Sequence, residues 1–329
     1  MTRIDAETAW ASLQLPAHGL TAHLHPNSRD VWLAVDDRGR RHLLVNASSA
    51  EAGRVLVSTH GLKAETTEIS VEGGPTRVWA DIACVDSSLN QTFIAVADDL
   101  VGAAAVARTP LEAVERTLRT WRWFWGVDTS PMSEAAALGL FGEMWFLDRW
   151  APFPAAVSAW QGPTGMRHDF STAIVSVEVK TTSSHSAGAP RHRIATLDQL
   201  DEPANGELYL FSLQAIPEPS AGNTLSSVIS RVRSRLAADP DQLDSLDRRL
   251  ALAGWSPAFH HQQLVAYRVA AERLYVVSDE FPRLTRTTFV VGLPPGIDDV
   301  SYTVDLAVCA EWLVATTPDD AAEMLQGLA

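Results

Sequence analysis

The stretch RHDFSTAIVSVEVKTT, residues 167–182, decides the fold. Read as a strand, Ile174 to Thr182 alternates: Val175, Val177, Val179 and Thr181 take one face, and Ser176, Glu178, Lys180 and Thr182 the other. Side chains two positions apart on a strand lie roughly 6–7 Å apart. The Glu178 carboxylate and the Lys180 ammonium therefore stand side by side while the valines bury in a core. Upstream, Ser171-Thr172-Ala173 can turn the chain into a hairpin, which brings Asp169 onto the neighbouring strand within reach of Glu178. Two carboxylates thus converge beside a lysine.

Two carboxylates in one cleft repel each other and favour a hard divalent cation such as Mg²⁺, completed by water and substrate phosphate oxygens. A lysine beside that ion can neutralise charge developing on a phosphorane, or help orient and deprotonate the attacking water. Hydrolysis of a phosphodiester is the chemistry that needs this set. Among the 26 Lys plus Arg of the chain, only Lys63 and Lys180 are lysine. A compact charge with a tunable pKa, which arginine does not supply, is one reason for lysine at 180. The competing reading is a structural ion-pair group on a half-exposed strand.

An Asp, then Glu-x-Lys, on a β-hairpin preceded by a helix carrying a glutamate resembles the PD-(D/E)XK nuclease superfamily, the restriction-endonuclease-like fold. More narrowly, LFGEMWFL at 140–147, AWQGPTGMRHDF at 159–170, VEVKTT at 177–182 and DQL at 198–200 resemble a bacterial family of PD-(D/E)XK motif proteins. EFPRL at 280–284 and VSYTVDLA at 300–307 are similar to that family's C-terminal part, so the resemblance covers most of the chain. It implies an α/β (α+β) core, αβββαβ, and a Mg²⁺-dependent endodeoxyribonuclease, with Mn²⁺ as a substitute. Association with restriction-modification and phage-defence gene clusters is also implied. On this reading Asp169, Glu178 and the Val179 carbonyl hold the metal and Lys180 assists the water. Glu143 binds a second metal or orders a metal-bound water, and the Gln199 amide positions a water or a backbone phosphate. Two features depart from the superfamily: His168 stands where proline precedes the first acid, and the Asp169 to Glu178 separation is short.

With 329 residues and 46% hydrophobic content, two domains are expected: residues 1–126, β-rich with a linking helix, and residues 127–329, the nuclease-like domain with a C-terminal β-rich extension. Cys84 and Cys309 are far apart and lack metal-ligand spacing, which argues for a reducing compartment and against a zinc site. No signal peptide or membrane-spanning run is found in the sequence, so a cytoplasmic protein with no membrane partner is expected. The formal net charge of −14 opposes DNA binding by the surface as a whole. Arg167, His168, His185, Arg191, His192 and Arg193 nevertheless gather near the proposed site as candidate phosphate contacts. DNA is the expected partner, with other protein subunits of a defence system as possible contributors to the grip. The rival reading keeps the fold without chemistry, as a nucleic-acid-binding or assembly subunit whose acidic surface docks proteins.

Along the chain, VWLAV and RHLLV flank a hairpin turn at Asp36–Gly39, and TRVWADIACVD and NQTFIAVA read as further alternating runs. His23 and His25 read as surface or edge-strand residues. Thr109-Pro110 opens a helix to about Trp125, whose aromatic end suits either a core or a platform for unpaired bases. Ser130-Pro131 starts a second helix reaching Trp150. Within it Glu143 lies in an apolar run, so it either serves the site or pairs with Arg149 or Arg167. Val157–Gln161, Asp169–Thr172, Ile174–Thr182 and Glu207–Ile216 read as strands, with a helix or turn opening at Leu197. Asn223–Ala237 reads as an amphipathic helix carrying Arg231, Arg233 and Arg235, on a solvated or a DNA-facing side. A helix near 241–253 follows, then strands at LVAYRVA, RLYVVS, RTTFVVG and SYTVDLA.

Overall fold

The structure is a computed structural model and describes residues 6–59, 61–70, 76–125, 132–185, 188–203, 205–257, 265–290, 292–297 and 299–329. The chain divides into two compact units, residues 1–130 with 256–258, and residues 131–255 with 259–329.

The first unit is an antiparallel sheet of β1 (Leu20–Leu24), β2 (Val31–Asp36), β3 (Arg41–Asn46), β4 (Val55–Thr59), β5 (Leu62–Ile69) and β6 (Arg77–Cys84). Their order is β1-β2-β3-β6-β5-β4. Helices α1 (Ala6–Ala11), α2 (Asn90–Ala104) and α3 (Pro110–Trp121) touch β2 and β3. The NQTFIAVA run is thus a helix and not a strand. Phe93, Val96, Ala97, Leu100 and Ala103 are its buried apolar residues, a 3.6-residue period that overrides the short local alternation. The aromatic run is core: Trp121 and Phe124 are buried edge to face, and Phe93 meets both Trp10 and Trp125. His25 is buried as well, with Nδ1 accepting the Asn27 N–H.

The second unit opens with α4 (Glu134–Arg149), capped by the Ser133 hydroxyl on the Ala136 N–H. The expected start at Ser130-Pro131 lies outside the described residues. Leu140, Phe141, Met144, Trp145, Phe146 and Leu147 are all buried, because this helix packs on both α6 (Leu225–Arg235) and the sheet. Each such side chain stabilises by about 1.5–3 kcal/mol. The sheet contains β7 (Phe170–Ser171), β8 (Val175–Thr182), β10 (Glu207–Pro217), β11 (Asn223–Thr224), β12 (Ala266–Val277) and β14 (Leu313–Ala315). Its order is β11-β12-β10-β8-β7, with β14 pairing β12. The central β10 runs parallel to β8 and antiparallel to β12, and is buried from Leu208 to Ile216. A strand covered on both faces reads as a continuous apolar run, and ELYLFSLQAI does.

This α+β architecture is consistent with the restriction-endonuclease-like expectation, with local differences. Val157–Gln161 is not a strand: α5 (Ala156–Ala159) is a single helical turn, and the strand is reduced to one bridge, Trp160 to Phe170. The β8–β10 crossover carries a 3-10 turn, Leu197–Leu200. It also carries β9 (Arg191–Ile194), which pairs with β13 (Tyr302–Asp305) as a separate ribbon. Ile194, Leu200, Val304 and Leu306 from this layer bury against Leu208 and Leu210 of β10. LVAYRVA and RLYVVS fuse into the single β12, whereas RTTFVVG is no strand; it forms a 3-10 turn at Arg286–Thr288 and leaves Val290 exposed. Helices α7 (Pro240–Leu252) and α8 (Pro318–Leu325) complete the unit.

Candidate active site

β8 is buried on both faces from Val175 to Val179, Ser176 and Glu178 included, and half-buried from Lys180 to Thr182, so the expected half-exposed polar face is limited to its end. Val175, Val177 and Val179 bury, and Thr181 meets α4 at Gly142, where an added Cβ would fall 1.8 Å from the Thr181 hydroxyl oxygen. That close approach fixes α4 on the strand. The next helical residue is Glu143, which reaches the edge of the sheet, where its Oε2 accepts the Trp160 indole N–H at 2.7 Å. Asp169 immediately precedes β7, and its Oδ2 accepts the Val179 N–H at 2.7 Å. The Asp169 main-chain carbonyl also takes the N–H groups of Gln161 and Gly162, at 2.6 and 3.0 Å. Gly162 is where two acids meet: a Cβ there would stand 2.6 Å from Glu143 Oε2 and 3.1 Å from Asp169 Oδ1. Glu178 is 2% exposed, and its Oε1 lies 2.6 Å from Lys180 Nζ.

Three carboxyl groups with one lysine cannot all ionise cheaply here. Burial first, and the Asp169 charge second, raise Glu178 to about 8 against an ordinary 4.5, although Lys180 pulls the other way. Glu143 is pushed well above the carboxylate range by burial and then by Asp169, opposed by the Trp160 hydrogen bond. Burial raises Asp169 too, opposed by the Val179 N–H and by Lys180. Glu143 and Asp169 are half-buried, whereas Glu178 is buried.

The other candidates fall into different settings. Gln199 spends its amide oxygen on the Ala195 N–H, at 2.7 Å, and makes no hydrogen bond to the acids or Lys180 among the described residues. Arg167, His185, Arg191 and Arg193 are exposed. Arg191 lies 3.5 Å from Asp305 and Arg193 bonds Ser301. His168 and His192 are buried, which corrects their expected role as phosphate contacts. β9 alternates, so Arg191 and Arg193 face out while His192 and Ile194 face the core. His192 Nε2 lies 2.8 Å from the Ser212 hydroxyl, and burial together with Lys180 and Arg273 lowers its pKa to about 4. Burial, and then Arg167, likewise lower His168 to about 4. Among the described residues Glu143 pairs with neither Arg149 nor Arg167; its carboxylate takes the Trp160 indole N–H. On α6, Arg231 and Arg235 bind Asp148 and Arg233 binds Asp247, so this arginine run is engaged within the unit.

Sequence reasoning missed Trp160, Ser212 and Arg273. Trp160 carried a signal, since a buried carboxylate on α4 needs a donor and an indole offers one. Ser212 and Arg273 carried none, because only strand register places them beside Lys180: Ser212 pairs with Lys180 across β8–β10 and with Arg273 across β10–β12.

Among the described residues no group of three or more His, Cys, Asp or Glu is spaced to hold a metal ion. The donor chemistry nonetheless fits a hard divalent cation. The acids are oxygen donors, Glu143 and Asp169 meet at Gly162, and a cation would offset both the burial that chiefly raises Glu143 and Glu178 and the Asp169 repulsion that adds to it. No described helix is long and apolar enough to cross a membrane.

No curated protein and no solved structure is significantly similar to the chain. A family model does match, over residues 6–307, and its description reads "Putative PD-(D/E)XK family member, (DUF4420)". A match of that extent, with the acids and the lysine of the motif assembled at one site, makes the chain a member of this nuclease-like family.

Proposed function

We propose that the protein is a metal-dependent nuclease that hydrolyses DNA phosphodiester bonds in a restriction or phage-defence setting. The observation that carries this reading is the meeting of Glu143 and Asp169 at Gly162 beside the Glu178–Lys180 pair. Asp169, Glu178 and the Val179 carbonyl would hold Mg²⁺, or Mn²⁺ in its place, and Glu143 would hold a second ion or a water. When bound, the cation supplies a Lewis acid that stabilises phosphorane charge and makes water more acidic. Lys180 orients the attacking water and offsets negative charge on the non-bridging oxygens. Glu178 keeps Lys180 aimed through their 2.6 Å contact, and Trp160 holds the Glu143 carboxyl in place. Gln199 would reach a phosphate or water only by releasing the Ala195 N–H. The exposed Arg167, His185, Arg191 and Arg193 would contact the DNA backbone.

The test is cleavage of supercoiled plasmid and of single-stranded DNA with Mg²⁺ or Mn²⁺, beside Lys180→Ala. Cleavage that is lost in the variant supports the reading; cleavage that persists in the variant refutes the site. A second reading is favoured by the net charge of −14: an inactive nucleic-acid-binding or assembly subunit that docks protein partners of a defence complex. Mn²⁺ binding separates the two, since a live site binds the ion and loses it on Asp169→Asn, whereas a structural ion-pair group shows neither.

A further inference from the structure

We propose that Arg249 is a positioning residue for the acid cluster, tying α7 to the segment that carries Trp160 and Gly162 and so holding Glu143 in place; this rests on the nuclease reading. Glu143 sits on α4, and its carboxylate takes the Trp160 indole N–H at 2.7 Å. Trp160 follows α5 directly, and Gly162, where Glu143 and Asp169 meet, opens a 3-10 turn over Gly162–Thr164. α5 is a single turn of four residues without a side-chain cap, too short to hold its own place. Both α5 and the 3-10 turn pack on α7. Along α7, Gln242, Ser245 and Arg249 recur at i, i+3 and i+7, which sets them on one face. That face meets Ser158 of α5. Arg249 Nη2 donates to the Ser158 carbonyl at 3.2 Å, and the Gln242 amide lies 3.4 Å from the Ser158 hydroxyl. The other arm of the guanidinium, Nη1, donates to the Ser245 hydroxyl.

The tie closes a ring of elements. α4 packs on α6, and α6 is joined to α7 by Arg233 and Asp247, 3.2 Å apart. α7 is joined to α5 by Arg249, α5 leads into Trp160, and Trp160 returns to Glu143 on α4. Glu143 is thereby held from two sides, through its own helix and through the indole. Of the side-chain ties between α7 and α5 among the described residues, the Gln242 contact is the longer, so Arg249 carries the link. Stability does not call for an arginine here. The residue is 9% exposed, its Nε is buried without a partner, and its acceptors among the described residues are neutral. Desolvating a guanidinium without a carboxylate is costly, and an apolar side chain of similar length would fill the same space without that cost. Ser158 would not be left bare either, because its carbonyl also accepts the Gln161 amide at 3.3 Å. What an apolar side chain cannot do is draw Ser158 to α7 and so set Trp160 against Glu143.

The experiment reads the indole and the metal separately. NMR of isotope-labelled, metal-free protein gives the Trp160 indole N–H resonance, assigned with Trp160→Phe, and calorimetry gives the Kd for Mn²⁺. Wild type is compared with Arg249→Met and with Leu250→Ala, which loosens the buried side of α7 next to Arg249 and leaves the tie itself in place. In Arg249→Met the indole proton is expected to move upfield as its hydrogen bond weakens. The Mn²⁺ Kd is expected to rise about tenfold, the low end of what the loss of a metal ligand's outer partner costs. Melting is expected to stay within about 3 °C of wild type. Arg249→Gln, too short to reach Ser158, carries the same expectation should the methionine variant not fold. Leu250→Ala is expected to melt lower and to keep both wild-type readouts. An unmoved indole resonance in Arg249→Met overturns the proposal, as does an unchanged Kd where wild type binds the ion. An equal shift in Leu250→Ala also overturns it, because general packing of α7 would then be the cause. A shifted resonance with no Mn²⁺ binding by wild type refutes the nuclease reading and leaves the Arg249 tie standing.

Discussion

Replacing Glu178 by Gln should change how stability depends on pH, and by an amount the site fixes. Glu178 is 2% exposed, and burial with the Asp169 charge lifts its pKa to about 8 from 4.5. A raised carboxyl pKa means that the folded state holds a proton the unfolded chain has already released. Stability from this group is thus fully present below about 4.5 and is lost as pH rises towards about 8. Each pH unit in that window costs about 1.4 kcal/mol, so roughly 4 kcal/mol accumulates by pH 8 as an order of magnitude. Glutamine is a neutral isostere and carries no such slope. Urea unfolding of metal-free wild type and Glu178→Gln from pH 5 to pH 8 should give stabilities that are close at the acid end and diverge upward, with the variant the more stable at pH 8. Parallel curves would refute the argument, since they would mean that Glu178 ionises in the fold as readily as in water. Mg²⁺ added at pH 8 should recover much of the wild-type loss and do little for the variant.

Three further outcomes follow from packing. Gly142→Ala puts a methyl group into Thr181 and should cost about 1–3 kcal/mol, read as a lower Tm, with weaker Mn²⁺ binding because Glu143 moves with α4; an unchanged Tm would mean that α4 and β8 are not in close contact. Gly206 has φ +94°, and a Cβ there would fall 2.2 Å from the Ile174 carbonyl oxygen, so Gly206→Ala should cost on the order of 2 kcal/mol or more in a denaturant titration. Trp160→Phe removes the indole donor from Glu143 and should cost about 1–3 kcal/mol. A melting curve superimposable on wild type would show that the hydrogen bond is not made.

The sequence pattern disclosed what is local. β8 shows two-residue alternation, β10 is a long apolar run, and Thr109-Pro110 opens α3 with the Thr109 hydroxyl on the Glu112 N–H. It misled where one pattern fits two periods. NQTFIAVA alternates over a few residues, yet over the fifteen residues of α2 its apolar positions recur at helical spacing. Val157–Gln161 is too short for either pattern to decide, and it forms one helical turn followed by a single bridge, Trp160 to Phe170. At the site, Asp169, Glu178 and Lys180 are legible because one hairpin carries them, and Glu143 because a carboxylate within an apolar helix is conspicuous. His168 and His192 read as phosphate contacts because single-residue chemistry says nothing of orientation. β9 pairing with β13, from more than a hundred residues away, turns His192 inward. Arg273 and Ser212 were beyond reach for the same reason.

The hydrogen bond from the Val179 N–H to Asp169 bears on how an inactive form of this protein should be made. β7 is only two residues long, and just before its start the Asp169 side chain stands in for a strand, occupying a main-chain donor that would otherwise be left over. Truncating Asp169 to alanine would remove an acid and also bare that donor, inviting a second molecule to pair there and confusing lost activity with aggregation. Lys180→Ala leaves the Val179 N–H covered, which makes it the cleaner null for assays in cells.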